Sequence, residues 1–327
     1  MRESKPTIYD PNFLPNMIYS GVPSWLNLSV IENDEDLKKI DAAVVGVPWE
    51  GGCTIGGYSS TTEGPKAVRS TSIRYTGFLP DYDLDCFDYL RVADSGDVAT
   101  QNGNYDFTFQ SIRERIGKLA DAKIIPITIG GDHGIAYPII REIAKRHPKK
   151  VGVLHFDAHL DNYSHFGDDE LSRCSPFYRV YNDPNMDPTK IAHIGIRGPR
   201  NHREEYNNAM KYGATVIRAI DVHEDGWKAA ISKALEVVSK DTEYIYITVC
   251  ADSLDAANMP QAPQDMGGLT SYELLMMLHE AGLAGARGID FVETYPEVFT
   301  LQTAAHVVNW AFLYYLNGLA QHIKDSK

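Results

Sequence analysis

VLHFDAHLD, residues 153–161, is the stretch on which the fold reading turns. Val153, Leu154 and Phe156 belong to an apolar run that starts at Val151, and the run then gives way to Asp157, His159 and Asp161. In extended backbone, side chains alternate between faces, so positions i, i+2 and i+4 share one face. Two carboxylates and an imidazole gathered on one side of a buried strand end are costly without a counter-charge. A divalent cation supplies that charge.

Outward from this motif, the chain alternates between short apolar runs and amphipathic stretches. The segments 42–48, 123–131, 151–159, 190–196, 214–220, 244–252 and 286–294 read as strands, and RVADSGDV (91–98) is a weaker eighth. They are nearly continuous apolar runs, as strands covered on both faces are. Helical periodicity occupies 107–122, 134–147, 225–240, 271–282 and 303–323. This alternation predicts an α/β fold with a mostly parallel sheet of eight strands. No internal repeat or linker interrupts it, so one domain over 41–327 is expected, preceded by a polar, Pro-punctuated arm over 1–40.

Parallel α/β sheets place ligands at the C-terminal ends of their strands, and there the acidic and imidazole residues cluster. KIIPITIGG runs into Asp132 and His133, with Gly130 and Gly131 allowing a sharp turn. YIYITVCAD ends in Cys250 and Asp252, again two residues apart. The last strand ends at Glu293, a carboxylate suited to receive a guanidinium. His133, the Asp157–His159–Asp161 set and the Cys250–Asp252 pair are enough to hold two metals at the roughly 3.5–4 Å spacing of two-metal hydrolases.

Composition excludes several classes of function. The formal net charge of −13 disfavours nucleic acid. No run approaches the roughly 18 apolar residues of a membrane span. The opening MRESKPTIYD has no apolar signal region, and the four cysteines show no CxxC pair or framework spacing. Both point to a reducing, cytoplasmic setting. The acidic surface itself needs no explanation beyond solubility, although it would also steer cations.

The segments GVPWEGG (46–52), GPKAVR (64–69), GGDHGIAYP (130–138), HFDAHLD (155–161), ADSLD (251–255), GGLT (267–270) and FVETYPE (291–297), in this order, resemble the ureohydrolase family of arginases, agmatinases, formimidoylglutamases and guanidino-acid hydrolases. The resemblance spans nearly the whole chain. It implies a three-layer α/β/α fold, trimers or hexamers, a binuclear manganese or nickel site, and hydrolysis at a guanidinium carbon. Carried over, His133, Asp157, His159, Asp161 and Asp252 match the family's ligands, and Glu293 matches the carboxylate that holds the guanidino group. Asp161 would also accept a hydrogen bond from the nucleophile. His155 shares the face of Asp157 but matches no ligand, so it reads as packed and hydrogen-bonded. His223, just before a helical stretch, reads as solvated or capping.

Three departures fall at the site. Cys250-Ala251-Asp252 stands where the family has Asp-x-Asp, and a thiolate is soft for manganese. Ser172-Arg173-Cys174 stands where the family's His carries a proton, and Arg cannot act as a base. Arg173 would repel a cationic substrate, or read an anionic or uncharged group on one; His165 is a nearby substitute for the imidazole. The family's glycine-rich loop is replaced after Asp255 by Ala256, Met259, Pro260, Gln261 and Ala262.

Three readings follow. The chain is the divergent, catalytically weakened partner of an active paralogue in a hetero-oligomer, the reading the sequence favours. Alternatively it is a self-sufficient hydrolase of a small cationic guanidino substrate with altered metal or substrate preference, or a metal-free scaffold. Metal occupancy is full, reduced or absent accordingly. The segment YDPNFLPNMIYSGVPSW (9–25) resembles the guanidine and biguanide branch, which includes two-subunit metformin hydrolases.

Overall fold

The computed structural model describes residues 5–9, 21–51, 60–260, 262–296 and 302–327. Cys53, Gln261, Glu297 and most of the 9–25 segment lie outside the described residues. In chain order the elements are β1 (Ala42–Gly46), α1 (Gly64–Ser72), β2 (Phe78–Leu79), β3 (Leu84–Asp85), β4 (Val92–Asp97), α2 (Tyr105–Asp121), β5 (Ile125–Ile129), α3 (Ala136–Ala144) and β6 (Val151–Phe156). They continue as α4 (Pro176–Tyr181), β7 (Ile191–Ile196), α5 (Arg203–Tyr212), β8 (Thr215–Arg218), α6 (Ala219–Asp225), α7 (Trp227–Ser239), β9 (Tyr244–Cys250), α8 (Ser271–Leu283), β10 (Ile289–Val292) and α9 (Thr303–Asp325).

Eight strands form one sheet in the order β4-β1-β5-β10-β9-β6-β7-β8, and every pairing is parallel. β2 and β3 make a separate two-residue antiparallel pair. Alternate residues of each strand enter different cores. Val44, Ile127, Leu154 and Ile247 face α1, α7, α8 and α9; Val45, Val153 and Tyr246 face α2, α3 and α4. The result is three layers, α/β/α. The apolar runs are continuous because both strand faces are covered.

The weak candidate strand over 91–98 is β4, an edge strand that keeps its outer end polar. The run 214–220 yields a shorter strand than expected. It stops at Arg218, whose backbone N–H donates to Asp221 (2.8 Å) and starts α6, so His223 lies inside a helix rather than before one. Four short helices, α1, α4, α5 and α6, lie outside the helical stretches read from the sequence. In α5 only Glu205 and Ala209 are buried, too few to make an apolar stripe.

The described part of the N-terminal segment packs into the domain. Trp25 is fully buried, its backbone N–H donates to Asp94 (2.7 Å), and its Nε1–H donates to Asn309 of α9 (2.7 Å). Arg69 of α1 donates to Asp94 from Nε (2.8 Å) and Nη2 (3.0 Å), and to Asp97 from Nη1 (2.6 Å). One buried carboxylate thus ties together the arm, α1 and β4. Cys86 and Cys250 are buried free thiols. Among the described residues no helix is long and apolar enough to cross a membrane.

Candidate metal centre

Four neighbouring strands in the middle of the sheet, β5, β10, β9 and β6, deliver the site from their C-terminal ends. After β5, Gly130 and Gly131 lead to Asp132 and His133. These glycines do not adopt left-handed backbone, as a sharp turn would suggest. They are needed for close approach: a Cβ on Gly131 would lie 1.9 Å from the carbonyl oxygen of Trp49. Asp132 caps the following turn by accepting from Gly134 N–H (3.0 Å).

The motif after β6 works differently from its spacing. β6 ends at Phe156, so Asp157, His159 and Asp161 lie on a turning loop rather than one extended face. Asp161 has φ +45° and Glu293 has φ +58°. Left-handed backbone at non-glycine residues costs on the order of 1–3 kcal/mol and concentrates at functional sites. Here it turns both carboxylates inward.

The outcome is convergence. Nδ1 of His133 lies 2.9 Å from carboxylate oxygens of both Asp157 and Asp161. Nδ1 of His159 lies 3.2 Å from Asp252 and 3.4 Å from Asp157. Among the described residues two ligand clusters result, His133–Asp157–Cys250 and Asp157–His159–Asp252, each with donor atoms within 4.8 Å of one another. Asp157 belongs to both.

The tautomer of His133 is set from behind. Thr248 Oγ1 donates to Asp290 (2.6 Å) and has no second proton, so it accepts from His133 Nε2–H (3.1 Å). The lone pair of Nδ1 then faces two carboxylates. Nδ1 is buried and lacks an aligned hydrogen bond. Such an arrangement calls for a cation between the donors, and the mixture of imidazole and carboxylate suits manganese or a borderline ion. Without one, a proton takes the place. Burial opposes charge on His133, but Asp157 and Asp161 raise its pKa well above the ordinary value. Burial, reinforced by Asp157, pushes Asp161 up to about 7. His155 is buried and bonded on both sides, to Asp157 (2.9 Å) and His193 (2.6 Å). Burial holds its pKa down to about 4.

The profile of the arginase family matches residues 40–315. The chain belongs to the arginase family. It is 32% identical over 289 residues to the human mitochondrial guanidino acid hydrolase, covering 88% of this chain and 79% of that one. Against guanidinobutyrase of Pseudomonas aeruginosa it is 29% identical over 279 residues, covering 85% and 86%. The solved proclavaminate amidino hydrolase of Streptomyces clavuligerus superposes with a TM-score of 0.84 at 25% identity, covering 93% of this chain and 99% of that one.

This arginase-family site carries its three departures in visible places. Cys250 lies with the donors of His133 and Asp157, and its thiol is pushed up by burial and by Asp157. Arg173 reaches the acidic cluster from the loop before α4. Its Nη1 donates to Glu293 (2.8 Å), and its Nη2 donates to Glu50 (3.2 Å). His165 is exposed and bonded to Ser164 Oγ (2.9 Å), on the outer part of the loop. In place of the glycine-rich turn, the segment after Asp255 brings Asp265 to His159 Nε2 (3.3 Å) and into an ion pair with Arg200.

Several participants escaped the sequence reading. Asp290 left a usable signal, since GIDFV places one carboxylate inside an apolar strand. Glu50 and Tyr295 sat inside quoted motifs without an assigned role. Asp265 and Arg200 lie in loops, where no periodicity or spacing marks them.

Proposed function

We propose that this chain is one subunit of a metal-dependent hydrolase of guanidino or biguanide compounds, acting as the divergent, catalytically weakened partner of an active paralogue. One observation carries the reading. Where the family has a proton-carrying imidazole, Arg173 presents a guanidinium that stays charged at any ordinary pH. Cys250 among the donors supports it, since a thiol held protonated by its surroundings is a poor substitute for a carboxylate.

In this reading His133, Asp157, His159, Asp161 and Asp252 hold up to two divalent ions, manganese or nickel, and Cys250 is the weak donor. The ions would supply an activated water and charge stabilisation. Glu293 is the seat for a guanidinium and Asp161 the acceptor beside the nucleophile. Residues 41–327 form the hydrolase domain and 1–40 the arm. The similarity to guanidinobutyrase and guanidino acid hydrolase supports guanidino carboxylates as the substrate class of the assembly. A hetero-oligomer in the cytoplasm fits the buried, unpaired thiols of Cys86 and Cys250.

A second reading rests on Cys250 itself. A sulfur donor favours a softer ion such as nickel, and the chain would then hydrolyse its substrate unaided. Expression of the chain alone and beside its genomic neighbours, with metal content and urea release measured in each, decides between them. The partner reading expects release only from the co-expressed assembly. Release from the chain alone overturns it, and a metal-free chain that leaves every paralogue unaffected supports a scaffold.

A further inference from the structure

We infer that Arg173 is a tethered occupant of the guanidinium seat at Glu293, so that this chain excludes free guanidino compounds from its own site. The inference rests on the reading of Glu293 as that seat and adds what fills it.

The geometry is that of a bound ligand's head group. Nη1 of Arg173 lies 2.8 Å from Oε2 of Glu293, and Nη2 lies 3.2 Å from Glu50 and 3.8 Å from Asp132. Tyr295 donates its hydroxyl to the same Glu293 oxygen (2.7 Å), and the backbone N–H of His133 donates to the other (2.8 Å). Glu293 is therefore oriented from two sides and offers its remaining capacity to one planar cation. Arg173 supplies that cation with a side chain only 11% exposed. Three carboxylates, Glu293, Glu50 and Asp132, converge on it. An arginine placed for surface solubility would not be taken out of water into such a cluster.

The loop holds Arg173 in place. Ser172 and Ser175 are fully buried and their hydroxyls lie 3.3 Å apart. The backbone N–H of Ser175 donates to Ser172 O (2.9 Å), that of Tyr163 donates to Cys174 O (3.1 Å), and that of Phe177 donates to Asp161 O (2.9 Å). On the other side, Asp169 accepts from the Leu171 N–H (2.8 Å) and from the Tyr105 hydroxyl (2.6 Å). A tethered group competes at an effective concentration on the order of millimolar or above. A free guanidino compound must displace it and leave its charge among the carboxylates or expel it to solvent.

Binding of methylguanidinium to the purified full chain tests this, with no turnover required. The wild-type chain is expected to show no saturable binding. Arg173→Ala is expected to bind it saturably, with a Kd at least tenfold below the highest concentration at which wild type shows none, and the added Glu293→Gln change to remove the gain. Equal, Glu293-dependent binding by wild type and Arg173→Ala overturns the tethered occupant while leaving the seat in place. A gain that survives Glu293→Gln overturns the seat itself. If Arg173→Ala does not fold, phenylglyoxal labelling of the wild-type chain gives the answer. Arg173 is expected to stay unmodified while the exposed Arg287 reacts, and equal labelling overturns the inference.

Discussion

Nε2 of His133 lies 3.1 Å from Oγ1 of Thr248, whose proton is already committed to Asp290 at 2.6 Å. This relay faces Nδ1 of His133 towards Asp157 and Asp161. Partners of a ligating imidazole typically contribute 10–100-fold in metal affinity. Thr248→Val keeps the shape and removes the acceptor. It is expected to weaken manganese binding by about 10-fold or more, read by titration of the metal-stripped chain, while circular dichroism stays unchanged. Unaltered affinity would show that the relay does not orient His133.

Cys250 shares a cluster with His133 and Asp157, and its thiol resists ionisation because it is buried beside carboxylates. An aspartate at that position offers manganese a hard donor. Cys250→Asp is expected to raise manganese bound per chain, measured by elemental analysis after equilibration and desalting. A chain that takes up no more metal after the change would place the defect elsewhere in the donor set.

The ion pair between Arg69 and Asp94 is buried on both sides, at 9% and 2% side-chain exposure. Removing one partner of a buried pair costs about 3–5 kcal/mol, because the other charge is left unpaired. Arg69→Met is expected to lower unfolding stability by that amount in urea. The loss also loosens the N-terminal segment, since Trp25 donates to the same carboxylate. A change under about 1 kcal/mol would contradict the assigned role.

Far from the metal centre, His279 of α8 stacks on Tyr82 with ring centroids 3.7 Å apart. Burial holds its pKa down to about 4. In the unfolded chain it returns to about 6.5. Between those values the unfolded state binds the proton and the folded state does not. Stability from the neutral ring is therefore present above about pH 6.5 and lost as pH falls towards 4. His279→Gln is expected to flatten the fall in Tm between pH 6.5 and 4.5 relative to wild type. Parallel pH profiles would show that His279 does not contribute to it.

The sheet was legible because its strands are apolar on both faces, and the candidate site residues stood out because they follow those strands directly. His133, Asp157 and Asp252 were grouped because each follows the C-terminal end of a strand in a parallel sheet; that β5, β9 and β6 lie close together in the sheet is seen only in the structure. What brings them together was not legible. The Asp157–Asp161 segment converges through a left-handed turn at Asp161, a backbone choice that no residue type in DAHLD announces. Arg173 was visible as the wrong residue at its position. That its guanidinium reaches Glu293 depends on a loop path fixed by Ser172, Ser175 and Asp169, each bonded over short range. Asp265 reaches His159 from a loop that Asp255 helps close by accepting from Gly267 N–H (2.6 Å) and that Arg197 holds by donating to Asp265 O (2.9 Å). Such contacts depend on geometry, and spacing in the sequence does not encode them.

Among the described residues, Asp157 is the one residue common to both ligand clusters. Manganese titration of the Asp157→Asn chain, alongside wild type and in the Cys250→Asp background, tests that sharing. Loss of metal from both positions by this single change is the predicted result. An Asp157→Asn chain that binds as many ions as its parent, with unchanged affinity, would contradict the account.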